Sequence, residues 1–478
     1  MECLTFDSLK TKLYNEFTSY GLRVICCPIE GCQETYAGIQ VETGTYRHEL
    51  MIDKTRIPQG TALLLKDLLF FTPKGNAKDV FKKVGAELDS FIDHSATVFY
   101  FNTKEDYKKP LDLLLTLVTN LSFKEEDVEI EKNKIFAEQK SMDSNLNKKM
   151  IKALRESLYL SSPMREDPLS NIDEVKSIHY STLKKFFNFK YTIKNMTLFV
   201  TGNVDPKELH NILASRKFIK PTYNFESTLL ENKEEYGEVS RIDNNIQSEI
   251  DNDKIGYGIK FVPRQELFEK FGDDIFICYE ILNDVLSGKN NIFIKKLVED
   301  KFLLNTDFEG KLIQGGEDTF YYALFNALDA EEAKSKLDNY LSSLKKNISK
   351  KEFQAVKSNY AKEKELLFKD AGKLFLALAE CYENHFAFPA VVERVDHLSY
   401  RTFKKVLKEI SNYCHTFVIT HKKEIHKRNA RHDSCGCNDA LLSLYSPVRQ
   451  GKIRPLCGKR LGSGQNRQNR RSCCRRRT

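Results

Sequence analysis

The run Pro58-Gln59-Gly60-Thr61-Ala62-Leu63-Leu64-Leu65-Lys66-Asp67-Leu68-Leu69-Phe70 limits the folds open to this chain more than any other segment. Ala62, Leu65, Leu68 and Leu69 recur at helical spacing, which predicts a buried amphipathic helix opening after a Pro/Gly turn. Such a helix presents positions 63 and 67 on one face, one turn apart. Around it, strand-like runs such as Gly21–Pro28 interleave with helix-like runs such as Pro110–Val118, the pattern of an α+β layer structure.

The helix does not stand alone. Tyr20-Gly21-Leu22-Arg23-Val24 precedes it, and Gly85-Ala86-Glu87-Leu88-Asp89-Ser90-Phe91 follows, leading to the strand pattern Thr97–Phe101. Glu131–Glu138 is helical in character, and Asn195–Asp205 reads as a strand and turn. In order and spacing these segments resemble the insulinase or pitrilysin family of zinc metallopeptidases, in its short two-domain bacterial form. The family's turn and helix read P-x-G-x-A-H-x-L-E-H-x-L-F, with the inverted zinc motif H-x-x-E-H.

The resemblance implies two related domains, each an antiparallel sheet backed by helices, forming a clamshell. It also locates what is missing. Leu63 and Asp67 occupy the two histidine positions, and Lys66 occupies that of the catalytic glutamate. A zinc hydrolase needs about three protein ligands, an open water position and a carboxylate base. Leucine cannot coordinate, and a cationic lysine repels the metal it would serve. The resemblance carries the third ligand onto Glu138, while Asp89 stands at a substrate-side position that the family usually fills with Asn.

Two outcomes are open for the remnant. Asp67 and Glu138 could hold a hard cation weakly with waters. Alternatively, Lys66 pairs with Glu138, ties the two helices together where a metal once did, and no metal binds. Other histidines do not rebuild a zinc site: His94 falls in a loop, His48 in a turn, and neither lies one helical turn from a second ligand. Family members often carry an Arg and a Tyr in the second domain that reach towards substrate. Here Val298 replaces the Arg and no matching Tyr follows. Gly288-Lys289 lacks the spacing of a phosphate loop and reads as a turn.

With 478 residues, 41% hydrophobic and 30% charged, the chain is globular and long enough for two or more domains. The net charge of +8 is uneven. From Lys427 onward, 14 Lys+Arg face 2 Asp+Glu, a charge of +12, whereas the preceding 426 residues hold 61 against 65, or −4. The tail is also rich in Cys and Arg. Its set His421, His426, His432, Cys435 and Cys437 does not match zinc-finger spacing. Its Arg-rich end lacks the aromatics and folded module of a nucleic-acid binder, so nucleic acid is not an expected partner. The 12 cysteines read as reduced thiols, not a disulfide framework. No apolar run approaches the ~20 residues needed to cross a bilayer, and the start lacks a secretory signal, so the expected location is the cytoplasm.

The sequence therefore divides into an N-terminal domain with a degenerate site (1–217), an acidic linker (218–254), a C-terminal domain (255–422) and a basic tail (423–478) that is disordered or foreign. The expected function is a catalytically inactive family member without a cofactor, partnering an active homologue or itself and able to bind peptide or unfolded polypeptide by strand addition. The competing class is a zinc-dependent metalloendopeptidase with non-standard ligands. Because every periodic apolar segment ends by residue 422, limited proteolysis should trim the tail and leave a stable body. A protease-resistant fragment reaching residue 478 contradicts that division.

Overall fold

Seven strands form the first sheet: β1 (Glu2–Phe6), β2 (Thr11–Phe17), β3 (Arg23–Pro28), β4 (Thr35–Val41), β5 (Ala86–Ile92), β6 (Thr97–Thr103) and β7 (Met196–Gly202). Their order is β1-β2-β3-β7-β4-β6-β5, antiparallel throughout except for the parallel pair β7 with β3. A second sheet contains β8 (Asp243–Asn245), β9 (Asp253–Lys260), β10 (Leu303–Gly315), β11 (Asp318–Ala327) and β12 (Cys414–Thr420). Its order is β8-β12-β9-β11-β10, with β8 and β12 parallel and the other pairs antiparallel. The expected α+β architecture of two sheets backed by helices is present. The segment read as an acidic linker contributes β8 and a further short strand, Ser227–Leu230, which pairs with Glu49–Ile52.

The computed structural model describes residues 1–46, 49–166, 171–218, 223–230, 233–247, 250, 252–287, 292–383, 388–410 and 414–421. His48, the Gly288-Lys289 turn and the tail lie outside these residues. Met1–Glu424 form one compact unit.

The helices that matter here are α1 (Thr61–Leu68), α2 (Lys108–Thr119), α3 (Glu125–Ser144), α4 (Leu146–Leu158), α5 (Tyr180–Lys190), α6 (Asp274–Ser287), α7 (Lys350–Leu367), α8 (Ala371–Glu383) and α9 (Tyr400–Ile410). On one face of the first sheet, Leu65 of α1, Leu111 of α2, Ile135 of α3 and Phe186 of α5 pack with Val24, Ile39 and Phe99. On the second sheet, Ile281 of α6, Phe353 of α7 and Phe403 of α9 pack with Tyr257, Phe325 and Phe417. Each half thus owns a core.

The remaining face of each sheet is covered by a helix of the other half. Leu374, Phe375 and Leu378 of α8 pack on Ile25, Val98 and Phe199 of the first sheet. In return, Met150, Leu154 and Leu158 of α4 pack on Phe320, Leu324 and Val418 of the second. Coverage on both faces explains why every residue of β7 is buried. Gly38 makes the α8 contact possible, since a Cβ there would sit 2.3 Å from the Phe375 ring. At the β10–β11 turn, Gly316 has φ +56° and lies so close to the Tyr46 ring that a Cβ would be 2.3 Å from it.

A buried polar node accompanies this exchange. Lys260, near the end of β9, has a side chain with 0% exposure. Its ammonium donates to Glu234 Oε1 at 2.8 Å and to the carbonyls of Glu235 at 2.8 Å and Glu238 at 2.5 Å. It also lies 5.5 Å from the Tyr159 ring centroid and 5.9 Å from that of Tyr236, within cation–π range. Glu234 further accepts the backbone N–H groups of Leu160, Ser161 and Ser162, just beyond α4. Burial raises the Glu234 carboxyl, but Lys260 and these N–H donors outweigh it and the net shift is downward. Beside it, Asp318 accepts from Tyr46 at 3.0 Å, Tyr236 at 2.7 Å and Ser162 at 2.5 Å. There burial prevails over the three hydroxyl donors, and the pKa is raised.

Removing one member of a buried pair strands the other charge, at about 3–5 kcal/mol. Lys260→Met should therefore lose about that much stability in urea unfolding, and adding Glu234→Gln should recover part of it. For Glu234 the contribution exists above the unfolded carboxylate range and is lost as pH falls through its depressed folded pKa. The deficit of Lys260→Met should accordingly persist at neutral pH and shrink in acid. Equal stability of the parent and Lys260→Met at neutral pH would contradict this account.

Candidate functional site

α1 opens at Gly60, whose φ of 80° places it in the left-handed region that glycine tolerates best. Thr61 Oγ1 closes the turn by donating to the Pro58 carbonyl at 2.6 Å. Ala62, Leu64, Leu65, Leu68 and Leu69 then enter the core. What remains is a half-buried face carrying Leu63, Lys66 and Asp67 at i, i+3 and i+4. The structure thus brings together the three positions singled out from the sequence.

Their chemistry is closed on itself. The Lys66 ammonium bonds the Asp67 carboxylate, with side-chain exposures of 14% and 31%. The anion at this face is thereby engaged by the cation that occupies the base position, and Leu63 adds no donor. Burial raises the pKa of the Tyr191 phenol, and the charge of Asp67 pushes it further the same way.

On α3, Val128, Glu131, Lys132, Ile135 and Gln139 are buried, whereas Glu138 is exposed. The expected Lys66–Glu138 tie does not form, since Lys66 pairs with its neighbour Asp67. The buried charges of α3 are engaged locally: Glu131 accepts from Lys134 at 2.7 Å, and Lys132 donates to Glu129 at 2.9 Å and to the Lys176 carbonyl at 3.1 Å.

A zinc ion asks for three or four nitrogen, sulfur or carboxylate donors converging within about 2.0–2.3 Å. Leu63, which has no donor, and an Asp67 held by Lys66 leave Glu138 as the one carboxylate not already paired, short of that requirement. Among the described residues no cluster of three or more His, Cys, Asp or Glu could hold a metal. We therefore derive no metal-dependent step for this face.

The other candidates lie apart from it. Asp89 sits on β5, the outer strand of the first sheet, paired with Lys78 at 2.9 Å where both side chains are exposed. Such exposed pairs contribute roughly 0–1 kcal/mol. His94 lies in the β5–β6 turn, and Val298 packs against the second core. His421 approaches Asp253 at 3.4 Å. Cys3, Cys26, Cys27, Cys32, Cys278 and Cys414 are free thiols. Burial pushes the Cys27 thiol up to about 11 although it shares a hydrogen bond with the Thr11 hydroxyl, which favours the inert thiol over the thiolate at neutral pH. His426, His432, Cys435 and Cys437 lie outside the described residues.

Two features had escaped the sequence reading. One is the Lys260 node, whose signal was a lysine inside the apolar run Ile255–Val262. The other is a cavity of about 630 Å³ between the sheets, reached by Phe91, Ile92 and His94 from the first half and by Lys311–Gln314 from the second. No local pattern announced it.

Comparison with known proteins agrees with this geometry. The profile described as "Insulinase (Peptidase family M16)" matches residues 33–170, and that described as "Peptidase M16 inactive domain" matches residues 177–360. The chain is 25% identical over 310 residues to the uncharacterized zinc protease YmfH of Bacillus subtilis, covering 63% of this chain and 72% of that protein. It is 24% identical over 194 residues to the beta subunit of the mitochondrial-processing peptidase of Saccharomyces cerevisiae, covering 40% of this chain and 41% of that one. An M16-like peptidase structure from Alicyclobacillus acidocaldarius superposes with a TM-score of 0.77 at 18% identity, over 86% of this chain and 99% of the other. A protease from Helicobacter pylori gives 0.74 at 17% identity, over 86% and 99%. At these identities the structural likeness bears on fold.

The resemblance assigns the third ligand to Glu138, which is already present on α3. Leu63→His, Lys66→Glu and Asp67→His together should therefore create zinc binding, read as zinc-dependent thermal stabilisation, and adding Glu138→Gln should weaken it at least tenfold. If Glu138→Gln leaves the zinc affinity of the triple variant unchanged, position 138 is not the third-ligand position.

Proposed function

The chain belongs to the insulinase family, peptidase family M16, and we propose that within it this chain is a non-catalytic member, serving as a partner or peptide-binding subunit for an active homologue. The observation that carries the proposal is the Lys66–Asp67 pair beside Leu63. Hydrolysis in this family's chemistry requires a metal-bound water and a carboxylate to take its proton. Here a cation holds the base position, and the one carboxylate of the motif is bonded to it.

What the fold retains is suited to binding. β5 and β10 are outer strands of their sheets, and an outer strand can pair with an extended polypeptide through backbone groups alone. No described helix is long and apolar enough to cross a membrane. We place the protein in the cytoplasm with its partner, which is either an active homologue or a second copy of this chain. The competing reading, a zinc endopeptidase with non-standard ligands, draws on relatives named as zinc proteases.

Untagged protein purified from its own cells discriminates the readings. Elemental analysis should find far less than one zinc per chain, and an unstructured peptide should remain uncut with or without chelator. Chelator-sensitive cleavage that disappears in Asp67→Ala would establish the enzyme reading instead.

A further inference from the structure

α9 sorts its residues by side. Phe403, Val406, Leu407 and Ile410 are buried in the second core. The opposite stripe carries Arg401, Lys404, Lys405 and Lys408 at i, i+3, i+4 and i+7, and all but the half-buried Lys404 are exposed. At the helical rise these four cations span about 10 Å of one face. No acidic residue lies between Asp396 and Glu409.

The cationic surface continues past the helix. Tyr400 Oη donates to the Ile348 carbonyl at 2.8 Å, and the Lys404 ammonium lies 5.5 Å from the Tyr400 ring centroid. The corner leading into α7 therefore sits beside the first turn of α9, and it adds exposed Lys346, Lys350 and Lys351. Among the described residues, no carboxylate pairs with Arg401, Lys404, Lys405 or any of these three. The flanking acids are engaged elsewhere: Glu409 accepts from Lys270 at 2.9 Å, and Glu352 accepts from the Ser349 N–H at 2.7 Å. Exposed charges act over about 8 Å at physiological salt. This face, and not the −4 carried by residues 1–426, thus decides what approaches it.

Its shape narrows the choice of partner. α9 packs against α6, α7 and the helices Arg264–Phe271 and Leu344–Asn347. Held among these neighbours, it does not project from the body as a helix that enters a nucleic-acid groove must. Among the described residues of 343–351 and 399–408 there is no exposed aromatic side chain on which bases could stack. Lysines dominate the face, and a point charge on a flexible stem suits mobile anionic head groups better than phosphates fixed in a duplex.

We propose that the cationic face of α9, with Lys346, Lys350 and Lys351, docks the protein onto an anionic lipid surface. The association is peripheral, since no described helix is long and apolar enough to cross a membrane. Each cation brought to an anionic bilayer strengthens binding about fivefold. The surface uses neither the α1 face nor a strand edge, so it is independent of the function proposed above.

Co-sedimentation of the full chain with lipid vesicles tests this. The parent should bind vesicles of phosphatidylcholine mixed with phosphatidylglycerol, ignore pure phosphatidylcholine, and be released by added salt. Arg401→Glu, Lys404→Glu and Lys405→Glu together should weaken binding at least tenfold. Lys405→Glu alone, at an exposed position, should weaken it several-fold and decides the question if the triple variant does not fold. As a control, Lys82→Glu, Lys83→Glu and Lys109→Glu together change the net charge equally at exposed positions of the first half and should leave affinity unchanged. The basic tail is present in every variant, so its contribution cancels. Parental affinity in the α9 triple variant, or in Lys405→Glu should the triple not fold, overturns the proposal. So does an equal loss in the control, or no binding by the parent. Binding of a short DNA duplex that depends on α9 and is tighter than binding to the vesicles also overturns it, since the partner is then a nucleic acid.

Discussion

The buried ammonium of Lys260 is the constraint from which the arrangement of the two halves follows. A charge wholly removed from water is costly unless it is paired and fully hydrogen-bonded. The groups that satisfy it come from outside its own sheet: Glu234 and two carbonyls from the connector, with the Tyr159 ring from the end of α4. Meeting the demand of one side chain thus fixes the connector, the end of a first-half helix and the second sheet together. Glu234 extends the constraint by holding the N–H groups that follow α4. Once α4 is held there, Leu154 and Leu158 cover the second sheet, and the reciprocal packing of α8 on the first sheet completes the exchange.

The same separation of roles explains how α1 keeps its place without a complete zinc motif. Its core stripe, through Leu65 and Leu68, holds the helix in the first core. Its other stripe, through Leu63, Lys66 and Asp67, makes no demand on that core. Residues other than metal ligands can stand there without removing a packing contact, and Lys66 and Asp67 pair with each other. Binding by strand edges is independent of both stripes, because it uses backbone groups that every sheet presents at its margins.

Much of the fold could be read in the chain. Patterning located α1, α2 and β3 close to where they lie, since each element's exposed and buried residues alternate with its own period. The three altered motif positions were also legible, because residue identity alone decides whether a side chain can ligate. The partner of Lys66 was not legible. Whether its ammonium reaches Glu138 or its neighbour Asp67 depends on how α1 and α3 pack, and the structure pairs it with Asp67.

The amino-acid sequence by itself determined the elements, the division into two sheet-forming halves and the absence of a complete zinc motif, all of which depend on local period or on single residue types. Only the tertiary structure decided that α4 and α8 are exchanged between the halves, that Lys260 is satisfied by Glu234, and that the edges of β5 and β10 meet at one cavity. An amphipathic pattern states that a face is buried but not against which partner, and an edge strand is an edge only once the order of all its neighbours is known.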